Sequence, residues 1–360
     1  MRSSGGVPQS THHVLEQERF FVTPSQEEVQ QQASKVLSQV AGFVGTRTIQ
    51  IGLQAGLFEA LAEGPKTSDQ LASAKGIDEL YSMVWCRSAF ANELLGKDGD
   101  KYKLAPHMDK LLLEEDFPGF IGGMVMTVTQ PEVFDSFAAK LQSGERLWWD
   151  TCGPDFIKSV SPTGRPFYNR MITGGFSQVP GLTERLESGA RLLELGSGAG
   201  VGLVKLATAY PNVSLVGIDG DAYSLGLLKE HLANEGVEAE LIHSTLEDFD
   251  MDSQFDVAFI NITMHECRDL DKVTQNVHKA LKPEGVFVIS DMPFPESDEA
   301  CRTVPARIMS GIQFFEGQID DQLLPTKAYT DLLKKHGFSN VGSFDITPVH
   351  MVVYGQKLAA

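Results

Sequence analysis

Only four cysteines, Cys86, Cys152, Cys267 and Cys301, occur in the 360 residues, and no two of them form a CxxC pair. That scarcity argues against a thiolate zinc site and a disulfide framework. It suits thiols that act as small buried hydrophobes in a reducing, cytoplasmic setting. No metal centre is expected. Long apolar runs are absent as well: none approaches the roughly 20 residues that span a bilayer. The stretch after Arg2 lacks the apolar core of a secretory signal, and Glu16, Glu18, Glu27 and Glu28 disfavour a transit segment. Clusters of Lys and Arg are missing too. With a formal net charge of -18, the chain repels nucleic acids and anionic membranes, so neither is expected as a partner.

What is present describes a globular protein. Apolar residues make up 42%, and the length suits two domains better than one. We divide the chain into a polar, mobile arm (1–30), a helical domain (31–118), a linking helical segment (119–185) and an α/β domain (186–360). From Ala190 onward, short apolar runs alternate with helical stretches. Strands are predicted over Arg191–Leu195, Val213–Asp219, Ala239–His243, Asp256–Asn261 and Gly285–Asp291. Helices fall over Val201–Tyr210, Tyr223–Asn234, Leu270–Leu281 and Lys327–His336. This alternation implies a parallel sheet covered on both faces. Val341–Ile346 and His350–Tyr354 would then form a hairpin that adds an antiparallel strand.

Ligands of such sheets bind beyond the carboxyl ends of the strands. Three features fall there: the turn Glu194-Leu195-Gly196-Ser197-Gly198-Ala199-Gly200, the carboxylate of Asp219, and Asn261. The glycines let the backbone pass close to a ligand, and Asp219 can accept from both hydroxyls of a ribose. A dinucleotide fingerprint needs G-x-G-x-x-G, and no register supplies it: the last position is Val201 or Leu203. The acid that precedes the glycines would repel a pyrophosphate and suits an ammonium. S-adenosylmethionine (SAM) offers an ammonium and a sulfonium, and has no phosphate.

The segments "LLELGSGAGVGLVKLA", "VSLVGID", "FDVAFINITMHE" and "LKPEGVFVISD" resemble, in order and spacing, the motifs of class I SAM-dependent methyltransferases. The resemblance covers roughly residues 190–355. It implies a Rossmann-like sheet with SAM as cofactor. Glu194 and Gly196 would lie near its methionine part, Asp219 at the ribose, and Thr245 and Leu246 at adenine, with Ser197, Gly198, Gly200, Gly220 and Asn261 also binding the cofactor. "GLFEALAEGPKTSDQLASAKGIDELYSMVWCRSAFANELLGKDGDKYKLAP" resembles the winged-helix domain that precedes O-methyltransferase-like enzymes, which implies a homodimer formed through this domain. The helix expected over Glu79–Leu95 offers few groups to bases or phosphates, and Tyr81, Met83, Val84, Trp85 and Phe90 suit packing instead.

In related O-methyltransferases a catalytic His sits where this chain has Met264-His265-Glu266. The resemblance assigns His265 as base, Asp291 as the acid that orients it, and Glu266 in place of the usual Asp. A second family acid would fall near Leu324-Pro325 and is missing. An aromatic stretch supplies candidate substrate contacts at Trp148, Trp149, Tyr168 and Met171, with Arg170 to pair a substrate carboxylate, and Phe314, after the fifth strand, would form the opposite wall. The expected activity is methyl transfer to a small molecule, on oxygen first, with sulfur and nitrogen as alternatives. A SAM-binding enzyme of other chemistry and a SAM-responsive regulator are the rival readings.

Overall fold

The computed structural model describes residues 25–147 and 153–359. Two compact units are separable, Met1–Gly45 and Thr46–Ala360. The described part of the first is helical from Gln26, within the stretch expected as a polar arm. The helix starts there because Ser25 and Glu28 form a reciprocal cap: the Glu28 amide donates to Ser25 Oγ, and the Ser25 amide donates to the Glu28 carboxylate.

The second unit opens with helices Leu57–Ala62, Ser68–Lys75 and Glu79–Ala91, then strands β1 (Leu95–Asp98) and β2 (Lys101–Leu104). Thr67 and Gln70 make the capping box that begins the second of these helices, and Asp78 caps the third. Phe58, Leu61, Leu71, Trp85, Leu95 and Tyr102 form a shared core. Gly99 and Asp100 turn the chain between the two strands, and Lys97 on β1 lies over the Tyr102 ring on β2. On Glu79–Ala91 only part of the apolar set is packed. Trp85 is buried, whereas Tyr81 (73%), Val84 (54%) and Phe90 (46%) are exposed.

The large sheet has seven strands: β3 (Arg191–Leu195), β4 (Ser214–Asp219), β5 (Glu240–His243), β6 (Phe255–Asn261), β7 (Leu281–Asp291), β8 (Phe338–Thr347) and β9 (His350–Lys357). Their spatial order is β5-β4-β3-β6-β7-β9-β8. The first five are mutually parallel, and β9 enters antiparallel between β7 and β8. Consecutive residues face opposite cores, as a doubly covered strand requires. Leu193, Ala258, Ile289 and Val353 pack with helices Leu270–Ala280 and Thr326–Lys335, while Leu192, Val257, Val288 and Val352 pack with Val201–Ala209 and Ala222–Glu235. Because β3 to β7 run the same way, Leu195, Asp219, Asn261 and Asp291 all end on one edge. The antiparallel β9 starts beside that edge, with Met351 opposite Asp291.

Candidate active site

Beyond that edge lies a cavity of about 570 Å³ that runs from the glycine turn to the helix Val304–Glu316. The turn exists because Gly196 (φ 68°), Gly198 (φ 48°) and Gly200 (φ 86°) adopt left-handed backbone that L side chains rarely enter. Its path is pinned by Asp219. The Gly198 amide donates to Asp219 Oδ2 at 2.7 Å, and the Asp221 amide donates to Oδ1 at 2.9 Å. Burial raises the Asp219 pKa, and the two amides counter it. Gly196, Ser197, Gly198, Asp219, Gly220, Thr245, Leu246 and Asn261 all line the cavity. Thr245 donates to Asp248, and Leu246 is buried.

Glu194 and Gly200 do not line it. Glu194 is fully buried behind the turn, with neither carboxylate oxygen hydrogen-bonded. A Cβ at Gly202 would overlap Glu194 Oε1 and the Tyr168 ring, so only glycine lets the next helix start over this acid. Burial pushes the Glu194 pKa up to about 8, which keeps its proton at neutral pH.

After β6 the chain turns through Ile262, whose φ of 45° is strained for a β-branched residue. The short turn Met264–Glu266 follows and delivers His265 into the cavity. His265 Nδ1 lies 2.7 Å from Asp291 Oδ1. Asp291 also accepts from the Met292 amide (2.7 Å) and the Tyr329 hydroxyl (3.0 Å), so the carboxylate is held in place and keeps a proton on Nδ1. Nε2 faces the cavity, 3.7 Å from Glu316 Oε2 and 4.0 Å from Glu266 Oε1, with no hydrogen-bond partner. Burial alone would favour the neutral ring, but the carboxylates of Asp291 and Glu316 outweigh it and carry the His265 pKa well above 6.5. Burial and Glu316 hold Glu266 well above the usual carboxylate range. The same causes push Asp321, another cavity residue, up to about 7.

Sequence reasoning missed Glu316, Asp321 and Tyr329. A signal for Glu316 was present: the acid falls on the helical stripe Met309, Ile312, Glu316, Ile319, where an apolar residue belongs. It takes up a position beside His265 that the search for a second acid near Leu324-Pro325 did not reach.

The candidate substrate contacts divide. Tyr168 lines the cavity. Trp148 and Trp149 lie outside the described residues. Met171, Phe314 and Arg170 do not line it. Met171 is fully buried in the core under the sheet, and Phe314 packs on Phe134 and Phe137 while its neighbour Phe315 faces the cavity. Arg170 stacks over Phe167, donates to the Pro118 carbonyl at 3.0 Å, and donates through Nε to His350 Nδ1 at 3.0 Å.

That last bond sets the sense of a buried chain. Arginine can only donate, so His350 Nδ1 accepts and Nε2 carries the proton. Nε2–H then donates to Ser290 Oγ at 2.8 Å, and Ser290 donates to Asn261 Oδ1 at 2.7 Å. The amide of Asn261 is thereby fixed with Nδ2, which has no partner of its own, as its remaining donor. Burial and Arg170 lower the His350 pKa to about 2, so the ring stays neutral.

Comparison with known proteins bears on what such a site does. Residues 186–341 match the family model described as "Methyltransferase domain". Over 316 residues the chain is 25% identical to the 3-hydroxy-5-methyl-1-naphthoate 3-O-methyltransferase of Streptomyces sahachiroi, covering 83% of this chain and 88% of that one. It is 29% identical over 154 residues to the ubiquinone biosynthesis O-methyltransferase of Ruegeria pomeroyi, covering 42% of this chain and only 61% of the relative's length. In fold it resembles human N-acetylserotonin methyltransferase, solved in complex with SAM, with a TM-score of 0.64 at 16% identity, covering 94% of this chain and 99% of that one.

Proposed function

We propose, from the match of residues 186–341 to the methyltransferase domain model, that the chain transfers the methyl group of SAM to a small-molecule acceptor, with oxygen favoured. The observation that carries this reading is a single cavity lined by both the amide-clamped Asp219 and His265, whose Nδ1 is held from behind by Asp291. SAM fits the residues present. A carboxylate held by two backbone amides suits a ribose diol, and among the described residues no basic group lines the turn to receive a phosphate. Asp219 and Gly220 would hold the ribose, Thr245 and Leu246 the adenine, and Gly196–Gly198 with Ser197 Oγ and Asn261 Nδ2 the methionine end. Ser197 Oγ and Asn261 Nδ2 are both buried without partners, which suits polar groups awaiting a ligand.

When bound, SAM supplies an electrophilic methyl on a sulfonium. The protein's part is to align the acceptor, exclude water and manage one proton. His265 Nε2 takes the proton of an acceptor hydroxyl, and Asp291 holds the ring for that task. Because the acids around it keep the free imidazole protonated, kcat/KM rises with pH to well above 6.5 before it levels. The chain functions as a homodimer, a reading supported by the exposed apolar positions Leu80, Tyr81 and Val84 on Glu79–Ala91.

Incubation with methyl-labelled SAM and a metabolite extract tests the reading. Label is expected in a small product, and its absence from every product removes the reading. For a hydroxyl acceptor, His265→Ala lowers kcat by about 10²- to 10⁴-fold. An unchanged rate would show that His265 is not the base.

A further inference from the structure

The two ends of the cavity differ in charge. At the end away from the glycine turn, Glu266, Glu316 and Asp321 line the wall around His265 Nε2. Among the described lining residues the only Lys or Arg is Arg268. Asp291 accepts from His265, Met292 and Tyr329 and does not line the cavity, so it contributes charge but no ligand contact. Glu316 is only 3% exposed, yet its Oε2 has no hydrogen-bond partner, and Nε2 of His265, at 4% exposure, has none either. The ligating atoms of His265, Glu266 and Glu316 lie within 4.8 Å of one another. Separations of 3.7 and 4.0 Å from Nε2 are too long for direct hydrogen bonds, so the ring does not take up the acceptor capacity of Glu316 and Glu266.

The void next to this cluster is apolar, walled by Met124, Val133, Phe156, Phe315 and Ile319. An ion alone would leave that wall uncovered. We propose that the acceptor is an amphipathic amine, with its apolar body against this wall and its protonated nitrogen among Glu266, Glu316 and Asp321. The word acceptor rests on the methyltransferase reading; the binding does not. An ammonium supplies three donors to acids that otherwise repel one another, and that repulsion, together with burial, is what lifts Glu266 and Asp321. The same three groups reject an acceptor whose polar end is a carboxylate or phosphate.

Isothermal titration of the full chain tests this with three probes of one shape: 1-naphthylmethylamine, 1-naphthylmethanol and 1-naphthoate, each with and without S-adenosylhomocysteine. The amine should bind about tenfold or more tighter than the alcohol, as a buried charge-assisted hydrogen bond allows, and the carboxylate should not compete. Glu316→Gln and, at a less buried position, Asp321→Asn should each shrink the amine-to-alcohol ratio several-fold while S-adenosylhomocysteine binding holds. Equal binding of amine and alcohol, or no binding of the amine, overturns the proposal. So does saturable binding of Mn²⁺ alone that displaces the amine, which would make the cluster a metal site. If discrimination persists but S-adenosylhomocysteine does not bind, the amine site stands and the methyltransferase reading falls.

Discussion

Glu194 leads the glycine turn, yet its side chain faces away from the cavity into a fully buried space. With its pKa raised from 4.5 to about 8, the folded state holds a proton that the unfolded chain releases above pH 4.5. Stability therefore falls as pH rises between those values, by up to about 1.4 kcal/mol per pH unit, and the contribution is fully present only below the unfolded pKa. Glu194→Gln mimics the protonated acid. Its melting temperature should match the parent near pH 5 and exceed it near pH 9; parallel curves across that range would show that the acid is ionised in place. The glycine turn was legible because left-handed backbone demands glycine, which leaves a mark on sequence. The direction of the acid's side chain was not, since it depends on Tyr168 and Gly202 packing around it.

At the level of elements, β9 does more than close the sheet. By starting beside the end of β7 it brings His350 to Ser290, and through Ser290 to Asn261 at the end of β6. Arg170, on helix Arg165–Arg170, anchors the far end of this chain of hydrogen bonds, which gives a conformational role to a residue expected to meet substrate. Nitrogen-15 spectra should show His350 as the Nε2–H tautomer with no titration between pH 5 and 8. Ser290→Ala frees the Asn261 amide to rotate and should weaken S-adenosylhomocysteine binding about tenfold, with the fold retained. A His350 signal that titrates near 6.5 would contradict the chain as drawn. The strands could be read from runs such as Leu192-Leu193 and Val288-Ile289, whose neighbouring residues enter opposite cores. Contacts between Arg170 and His350, far apart in sequence, leave no such local trace.

For the molecule as a whole, the exposed side chains of Glu79–Ala91 carry the expectation of a second copy. Val84→Glu places a charge on that face and should convert a dimer in light scattering to monomer, with little change in the cooperative melt because Val84 packs on no core. A variant that stays dimeric would move the interface elsewhere. The helices of this region have local start signals, the caps at Thr67 and Asp78. Which apolar residues they would leave bare was not legible, since the helical period alone does not say which face is covered.

One void is lined both by the amide-clamped Asp219 and by the acids around His265. A single molecule could therefore reach both ends. An adenosine tethered to an amine would find its second half already at high local concentration once the first had docked, and its affinity would climb by orders of magnitude without any new contact. The shape of the cavity thus sets the length of the tether that would bind it best.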